Sequence, residues 1–99
     1  MNMDELDIKK NTPLHLAIRE GKESIVRVLI AWGCRLDLRD SEGNTVLHLS
    51  AQGQSYKITR LLLLRGIDRT ILNNQNQTAY NISLSLNDKS LCKILVKPI

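Results

Sequence analysis

Apolar residues recur along this chain at the spacing of helices that bury one face. Within residues 23–32 they form an inward-facing stripe made of Ile25, Val26, Val28, Leu29 and Ile30. A second stripe occupies residues 58–64, and we expect only its last member, Leu64, to reach the surface. The two stretches predict amphipathic helices, each stopped by a glycine, at Gly33 and at Gly66.

A shorter helix is predicted ahead of each stripe. Thr12 can cap this first helix through its hydroxyl, and Pro13 at the first helical position loses no needed hydrogen bond. We expect the helix to run to about Glu20 and to be broken by Gly21, and its counterpart in the next copy to be broken by Gly53. The chain therefore consists of pairs of short helices joined by turns.

The helix pairs repeat with a fixed 33-residue period. Three sets of residues keep this interval: Thr12, Thr45 and Thr78; Leu14, Leu47 and Tyr80; and His15 and His48, with Asn81 as the third member. The period predicts one domain, residues 1–99, made of a lead-in (1–6) and repeats at 7–39, 40–72 and 73–99, the last incomplete. A fixed period of this length is typical of stacked repeat units.

The repeated motif resembles the ankyrin repeat. Repeat one carries it as Thr12-Pro13-Leu14-His15-Leu16-Ala17, Gly21 and Gly33, and repeat two as Asp40, Gly43, Thr45, Leu47-His48-Leu49, Ala51 and Gly66. The resemblance implies an all-α solenoid of three stacked helix-turn-helix repeats with projecting hairpin-like loops, called fingers below. It also implies a non-enzymatic module that binds a partner protein on its concave face.

A shorter likeness concerns the segment between repeats one and two. Its matching residues are Gly33-Cys34, Leu38-Arg39-Asp40, Gly43-Asn44-Thr45 and Leu47-His48-Leu49. This segment is similar to the inter-repeat segment of inhibitor-of-NF-kappa-B proteins. The likeness implies that the concave face holds and masks a Rel-type transcription factor.

Ankyrin proteins generally contact partners through finger tips and the exposed side of the first helix. The resemblance places a partner-binding set, the recognition strip, on Ile8, Lys9, Asn11, Arg19 and Glu20; on Arg39, Ser41, Glu42, Asn44 and Gln52; and on Leu72, Asn74, Gln75, Gln77 and Ser85. The strip is rich in amides and mixed charges. We expect a few of these residues to carry most of the binding energy.

Composition excludes several classes of function. The chain has 99 residues with 42% hydrophobic and 24% charged residues, which is typical of a small globular domain. Aromatic residues make up 3%, too few for a platform that stacks single-stranded nucleic acid. The net charge of +4 leaves a basic nucleic-acid-associated adaptor as the alternative function. The arginines are scattered over the repeats, however, so the sequence does not predict a continuous phosphate-binding stripe.

The residues with chemical potential favour structural roles. His15 and His48 lie just after the caps of first helices, where their ring nitrogens can bridge neighbouring turns. Cys34 and Cys92 fall at different phases of the repeat, which predicts no disulfide, with Cys34 in a turn and Cys92 in the core. We expect no enzyme activity, metal or other cofactor. Trp32 is expected either to anchor a partner or to pack on the neighbouring repeat.

The remaining expectations concern location and association. The N-terminal segment lacks the apolar core of a signal peptide, and the central apolar run, residues 61–64, is too short to cross a bilayer. These features predict a cytoplasmic or nuclear protein that does not insert into membranes. Repeat three combines few charges with the apolar residues Leu84, Leu86, Leu91, Ile94 and Leu95. We therefore expect its outer side to expose apolar surface and to be a site of self-association.

Overall fold

A computed structural model describes residues 11–96, which form three helix pairs and no strand. The first helices are α1 (Pro13–Arg19), α3 (Val46–Gln52) and α5 (Ala79–Ser85). The second helices are α2 (Glu23–Ala31), α4 (Tyr56–Leu64) and α6 (Lys89–Val96). The predicted all-α fold is confirmed for this part of the chain. The lead-in predicted for residues 1–6 lies outside the described residues.

Each first helix begins with the same reciprocal cap. The hydroxyl of Thr12 accepts a hydrogen bond from the backbone N–H of His15, and the His15 side chain accepts one from the backbone N–H of Thr12. Thr45 and His48 repeat the arrangement at α3, and an identical pair of bonds opens α5. The predicted caps are confirmed, because these bonds satisfy backbone donors that a helix N-terminus leaves without partners.

The turns between the helices of a pair follow the repeat phase. Gly21, Gln54 and Asn87 occupy equivalent positions of the three repeats, and all three have positive φ angles, of 69°, 53° and 58°. The predicted end of the first helix of repeat two is confirmed, because α3 ends at Gln52 with Gly53 as its C-cap. Gly53 has a φ of −84°, however, so Gln54 and not the glycine is the left-handed residue of this turn. The expected stops after α2 and α4 are confirmed at Gly33 and Gly66.

The helices form two layers. The first helices pack in the order α1, α3, α5, each also packs against its own second helix, and α4 packs against α6. One continuous core runs between the layers, and its largest fully buried apolar side chains are Leu14, Val26, Val46, Leu47, Leu62 and Leu91. Burying a leucine or valine side chain stabilises a fold by about 1.5–3 kcal/mol. In the stripe predicted on α2, Val26, Leu29 and Ile30 are buried and help to hold the repeats together. The prediction that Ile25 and Val28 also face inward was wrong, because they are 45% and 48% exposed.

The exposure of individual side chains tests the expectations for Leu64, Trp32 and the two cysteines. Leu64 is 75% exposed, as predicted, and Trp32 is 69% exposed, so Trp32 does not pack on the neighbouring repeat. Cys34 follows α2 in a turn, but its side chain is buried in the core. Cys92, which we expected in the core, is half-buried with its Sγ 3.1 Å from Ser83 Oγ. Cys34 and Cys92 are not joined by a disulfide.

Candidate protein-binding face

The fingers are tight turns closed by one side chain each. In the second finger (residues 40–44), Asp40 Oδ1 accepts hydrogen bonds from the backbone N–H groups of Glu42 and Asn44, both at 2.9 Å. In the third finger (residues 73–77), Asn73 Oδ1 accepts the equivalent bonds from Gln75 and Gln77, both at 3.0 Å. Asp and Asn side chains favour such turns because they bond the backbone two residues on. The finger geometry thus follows from one residue per repeat.

Four contacts lock the second and third fingers together. The backbone N–H of Asn74 donates to Glu42 O at 2.9 Å, and Asn74 Nδ2 donates to Ser41 O at 3.1 Å. The guanidinium of Arg39 donates a hydrogen bond to Leu72 O at 2.9 Å. The side-chain Nδ2 of the buried Asn73 donates to a side-chain oxygen of the second finger. The fingers therefore form one rigid surface.

Gly43 makes the close approach of the fingers possible. Its φ of +77° lies in the left-handed region, which residues with a Cβ rarely adopt. A Cβ at this position would lie 2.5 Å from Asn74 Oδ1 and 2.8 Å from the backbone nitrogen of Asn74. Both the backbone conformation and the neighbouring finger require a glycine here.

His48 connects a first helix to the next finger. Its Nδ1 accepts from the backbone N–H of Thr45 at 3.0 Å, and its Nε2 lies 2.8 Å from Gln77 O. The carbonyl can only accept, so the proton resides on Nε2 and the ring is neutral. Burial lowers the pKa of His48, opposed by its contacts with backbone carbonyls. The ring therefore stays neutral at physiological pH and acts as a structural bridge.

His15 has the same environment with one bond missing. Its Nδ1 accepts from the backbone N–H of Thr12 at 3.1 Å, but its buried Nε2 has no hydrogen-bond partner among residues 11–96. Burial lowers the pKa of His15, and the nearby carbonyl of Asn44 opposes the shift. This geometry fits the prediction that both histidines have a structural role. No group of three or more His, Cys, Asp or Glu side chains within residues 11–96 is arranged to hold a metal ion.

Arg19 ties α1 to the second finger. Its guanidinium forms a salt bridge with the buried carboxylate of Asp40, and its Nε donates to Asn11 Oδ1 at 3.2 Å. The Arg19 side chain remains 37% exposed. It can therefore contact a partner only while it also positions the finger.

The structure separates the recognition strip into four groups. Ile8 and Lys9 lie outside the described residues. Asn11 and Asn44, which we expected to be exposed, are buried, and Asn44 accepts a hydrogen bond from Asn73 Nδ2 at 3.0 Å. Gln77 is half-buried, and the exposed members are Arg19, Glu20, Arg39, Ser41, Glu42, Gln52, Leu72, Asn74, Gln75 and Ser85.

Exposure alone does not make a strip residue available. Arg39 and Asn74 are exposed, but both use their polar side-chain atoms to hold the fingers together. The side chains of Glu42, Gln52 and Gln75 form no hydrogen bond or ion pair within the described part of the chain. These three residues, called the open strip below, can bond a ligand without breaking an internal contact. Their amides and single carboxylate suit hydrogen bonding to a protein surface.

Sequence reasoning missed the locking role of Arg39 and Asn74. A signal was present, because Arg39 and Leu72 are equivalent positions of successive repeats, as are Ser41 and Asn74. Equivalent positions of stacked repeats are neighbours in space, so a long polar side chain at one can reach the backbone of the other. Polar residues one period apart therefore tend to bond each other across the stack, which makes them less available to a partner.

Comparison with known proteins agrees with this architecture. A family model described as ankyrin repeats in three copies matches residues 1–71 and again residues 33–99. No curated protein matches the chain. None of the helices within residues 11–96 has the length and apolar character needed to span a membrane. The chain belongs to the ankyrin repeat family, a non-enzymatic class of modules whose repeats generally mediate protein–protein interaction.

Proposed function

We propose that this protein holds a partner protein on the open strip, Glu42, Gln52 and Gln75. The proposal rests on the hydrogen bonds by which Arg39 and Asn74 hold the second and third fingers together. A surface that is already rigid loses little conformational entropy when it binds, which favours affinity from a small contact area. The module needs no catalytic group for this role.

The finer part of the proposal concerns the partner and its fate. The likeness of residues 33–49 to inhibitor-of-NF-kappa-B proteins supports a Rel-type transcription factor that is masked when it lies on the concave face. Such a partner fits a cytoplasmic or nuclear location. A purified Rel-type DNA-binding domain tests this directly: we expect it to bind the protein and to lose access to its DNA site. Unimpaired DNA binding at saturating protein would contradict the masking role.

The general role has its own test. We expect the triple variant Glu42→Ala, Gln52→Ala, Gln75→Ala to lose the proteins that the wild-type chain retains in affinity capture followed by mass spectrometry. The matched control is Ser24→Ala with Arg27→Ala on α2, because both residues are exposed on second-helix surface. Retention by the triple variant together with loss by the control would overturn the concave assignment.

We further propose that the outer side of repeat three mediates self-association. Leu84 is 51% exposed, whereas its equivalents Ile18 and Ala51 are buried by the following repeat. Leu86 is exposed as well, but Leu91 and Leu95 are buried and Ile94 is half-buried, which corrects the wider apolar surface that we expected. Sedimentation velocity should show association that depends on concentration, and Leu84→Glu should abolish it. A wild-type chain that stays monomeric would refute this part.

A further inference from the structure

The second half of the chain carries cations that its own acids do not neutralise. After Glu42, the only acidic residues in the sequence are Asp68 and Asp88. Asp68 accepts hydrogen bonds from the backbone N–H and hydroxyl of Thr70. Asp88 is buried and accepts from the hydroxyl of Tyr56 at 2.7 Å. Both carboxylates are thus engaged with neutral groups, and the basic residues of α4 and α6 form no salt bridge with another residue among 11–96.

These cations converge on the outer surface of the second helices. On α4, Lys57, Arg60 and Leu64 are all exposed and lie three and four residues apart, so they share one helix face. On α6, Lys89 and Lys93 are exposed four residues apart, and Lys93 is the equivalent of Arg60 in the next repeat. We call Lys57, Arg60, Leu64, Lys89 and Lys93 the basic face.

Repeat one differs at the equivalent positions. Arg27 corresponds to Arg60, but its guanidinium pairs with Glu23 at 2.9 Å. Ala31 takes the place of Leu64. The basic face is therefore confined to repeats two and three. It lies on the second helices, whereas the open strip lies on the fingers and on the first helix α3, so the two surfaces share no residue.

We propose that the basic face binds an acidic protein segment that places an apolar side chain against Leu64. Charge complementarity specifies the acidic character, since a cluster of unpaired cations attracts anionic partners. Leu64, which is 75% exposed and lies one helical turn from Arg60, specifies the apolar contact. A leucine contributes nothing to phosphate binding, so nucleic acid is the less suitable ligand. A single leucine among cations also falls short of the continuous apolar face of membrane-surface helices.

Fluorescence anisotropy with defined probes tests the proposal on the full chain. The main probe is a labelled peptide of Asp, Glu and Leu, and the second is the same peptide with Ser in place of Leu. We expect the Leu peptide to bind more tightly, and Arg60→Gln with Lys93→Gln to weaken its binding by about fivefold. Leu64→Ser should remove the preference for the Leu peptide and leave the Ser peptide unaffected.

The control variant separates a local surface from net charge. Lys22→Gln with Arg27→Gln removes the same charge from repeat one, where both cations already pair with glutamates, and should bind the Leu peptide like wild type. Equal weakening by both double variants would overturn the proposal. So would tighter binding of a single-stranded oligonucleotide of equal charge, or of phosphatidylcholine–phosphatidylserine vesicles. Circular dichroism of each variant verifies folding, and the exposed positions make its loss unexpected.

Discussion

At the scale of single residues, three copies of one motif show how context changes a side chain's role. His15, His48 and Asn81 occupy the same position of the cap, and each accepts a backbone N–H through its near polar atom. Only His48 also reaches the next finger, through Nε2 and Gln77 O. Asn81 shows that an amide suffices for the cap, because its Oδ1 accepts from the backbone N–H of Thr78 at 2.9 Å.

This comparison allows the two functions of His48 to be separated. We expect His48→Ala to destabilise the protein by about 1–3 kcal/mol, because it leaves buried polar groups without partners. His48→Asn keeps the cap and loses only the bond to Gln77 O, so its cost should be smaller but measurable. Urea unfolding of the variants gives both values. Equal stability of His48→Asn and wild type would mean that the bond to the finger contributes nothing.

The histidines also predict the acid sensitivity of the fold. Burial lowers the pKa of both His15 and His48 below the ordinary value of 6.5, which the unfolded chain retains. As the pH falls below 6.5, the unfolded state takes up protons before the folded state does. The two histidines therefore do not reduce the free energy of unfolding above pH 6.5. Below pH 6.5 they reduce it progressively as the pH falls through their lowered folded-state pKa values. Unfolding free energies measured between pH 7.5 and 5 should show this loss, and the double variant His15→Asn, His48→Asn should reduce it. If the free energy of unfolding of the double variant falls with pH as steeply as that of the wild type, other titratable groups cause the loss of stability.

At the scale of elements, turns and fingers depend on positions that tolerate positive φ angles. Gly21 and Gly43 both have such angles, but they differ in surroundings. A Cβ at Gly21 would meet nothing within 4 Å, whereas one at Gly43 would collide with Asn74 of the next finger. The pair therefore separates the cost of backbone strain from the cost of breaking the contact between fingers.

We expect Gly43→Ala to destabilise the protein clearly more than Gly21→Ala does. At Gly21 the cost is that of a left-handed alanine, about 1 kcal/mol. At Gly43 the same strain is joined by displacement of Asn74, which raises the total to about 2 kcal/mol or more. Thermal and urea unfolding of both variants provide the comparison. Equal losses would show that the third finger moves aside without cost.

At the scale of the whole molecule, stability depends on how many neighbours a repeat has. The pair α3 and α4 packs against helices on both sides, whereas α5 and α6 face no further helix within residues 11–96. In stacked repeats each interface adds to stability, so a repeat with one interface opens more readily.

Hydrogen exchange should detect this difference. We expect the amides of α5 and α6 to exchange faster than those of α3 and α4, with the exposed Leu84 marking the side on which packing is missing. Leu84→Glu, which blocks self-association in our proposal, should leave the exchange of α3 unchanged. Uniform protection of all four helices under monomeric conditions would contradict a weak third repeat.

The repeat period, the helix pairs and the threonine caps, and hence the family, can all be derived from the amino-acid sequence without the structure. These features depend on local chemistry: a hydroxyl caps the helix it precedes, and an apolar stripe appears wherever a helix buries one face. Which polar residues remain available to a partner, in contrast, depends on how the repeats stack. Asn44 is buried, Arg39 and Asn74 hold the fingers, and Gln54 rather than Gly53 has the left-handed conformation. The reason is that burial and hydrogen bonding of these residues are set by neighbours one repeat away in sequence, whose distance and direction become fixed only when the repeats stack.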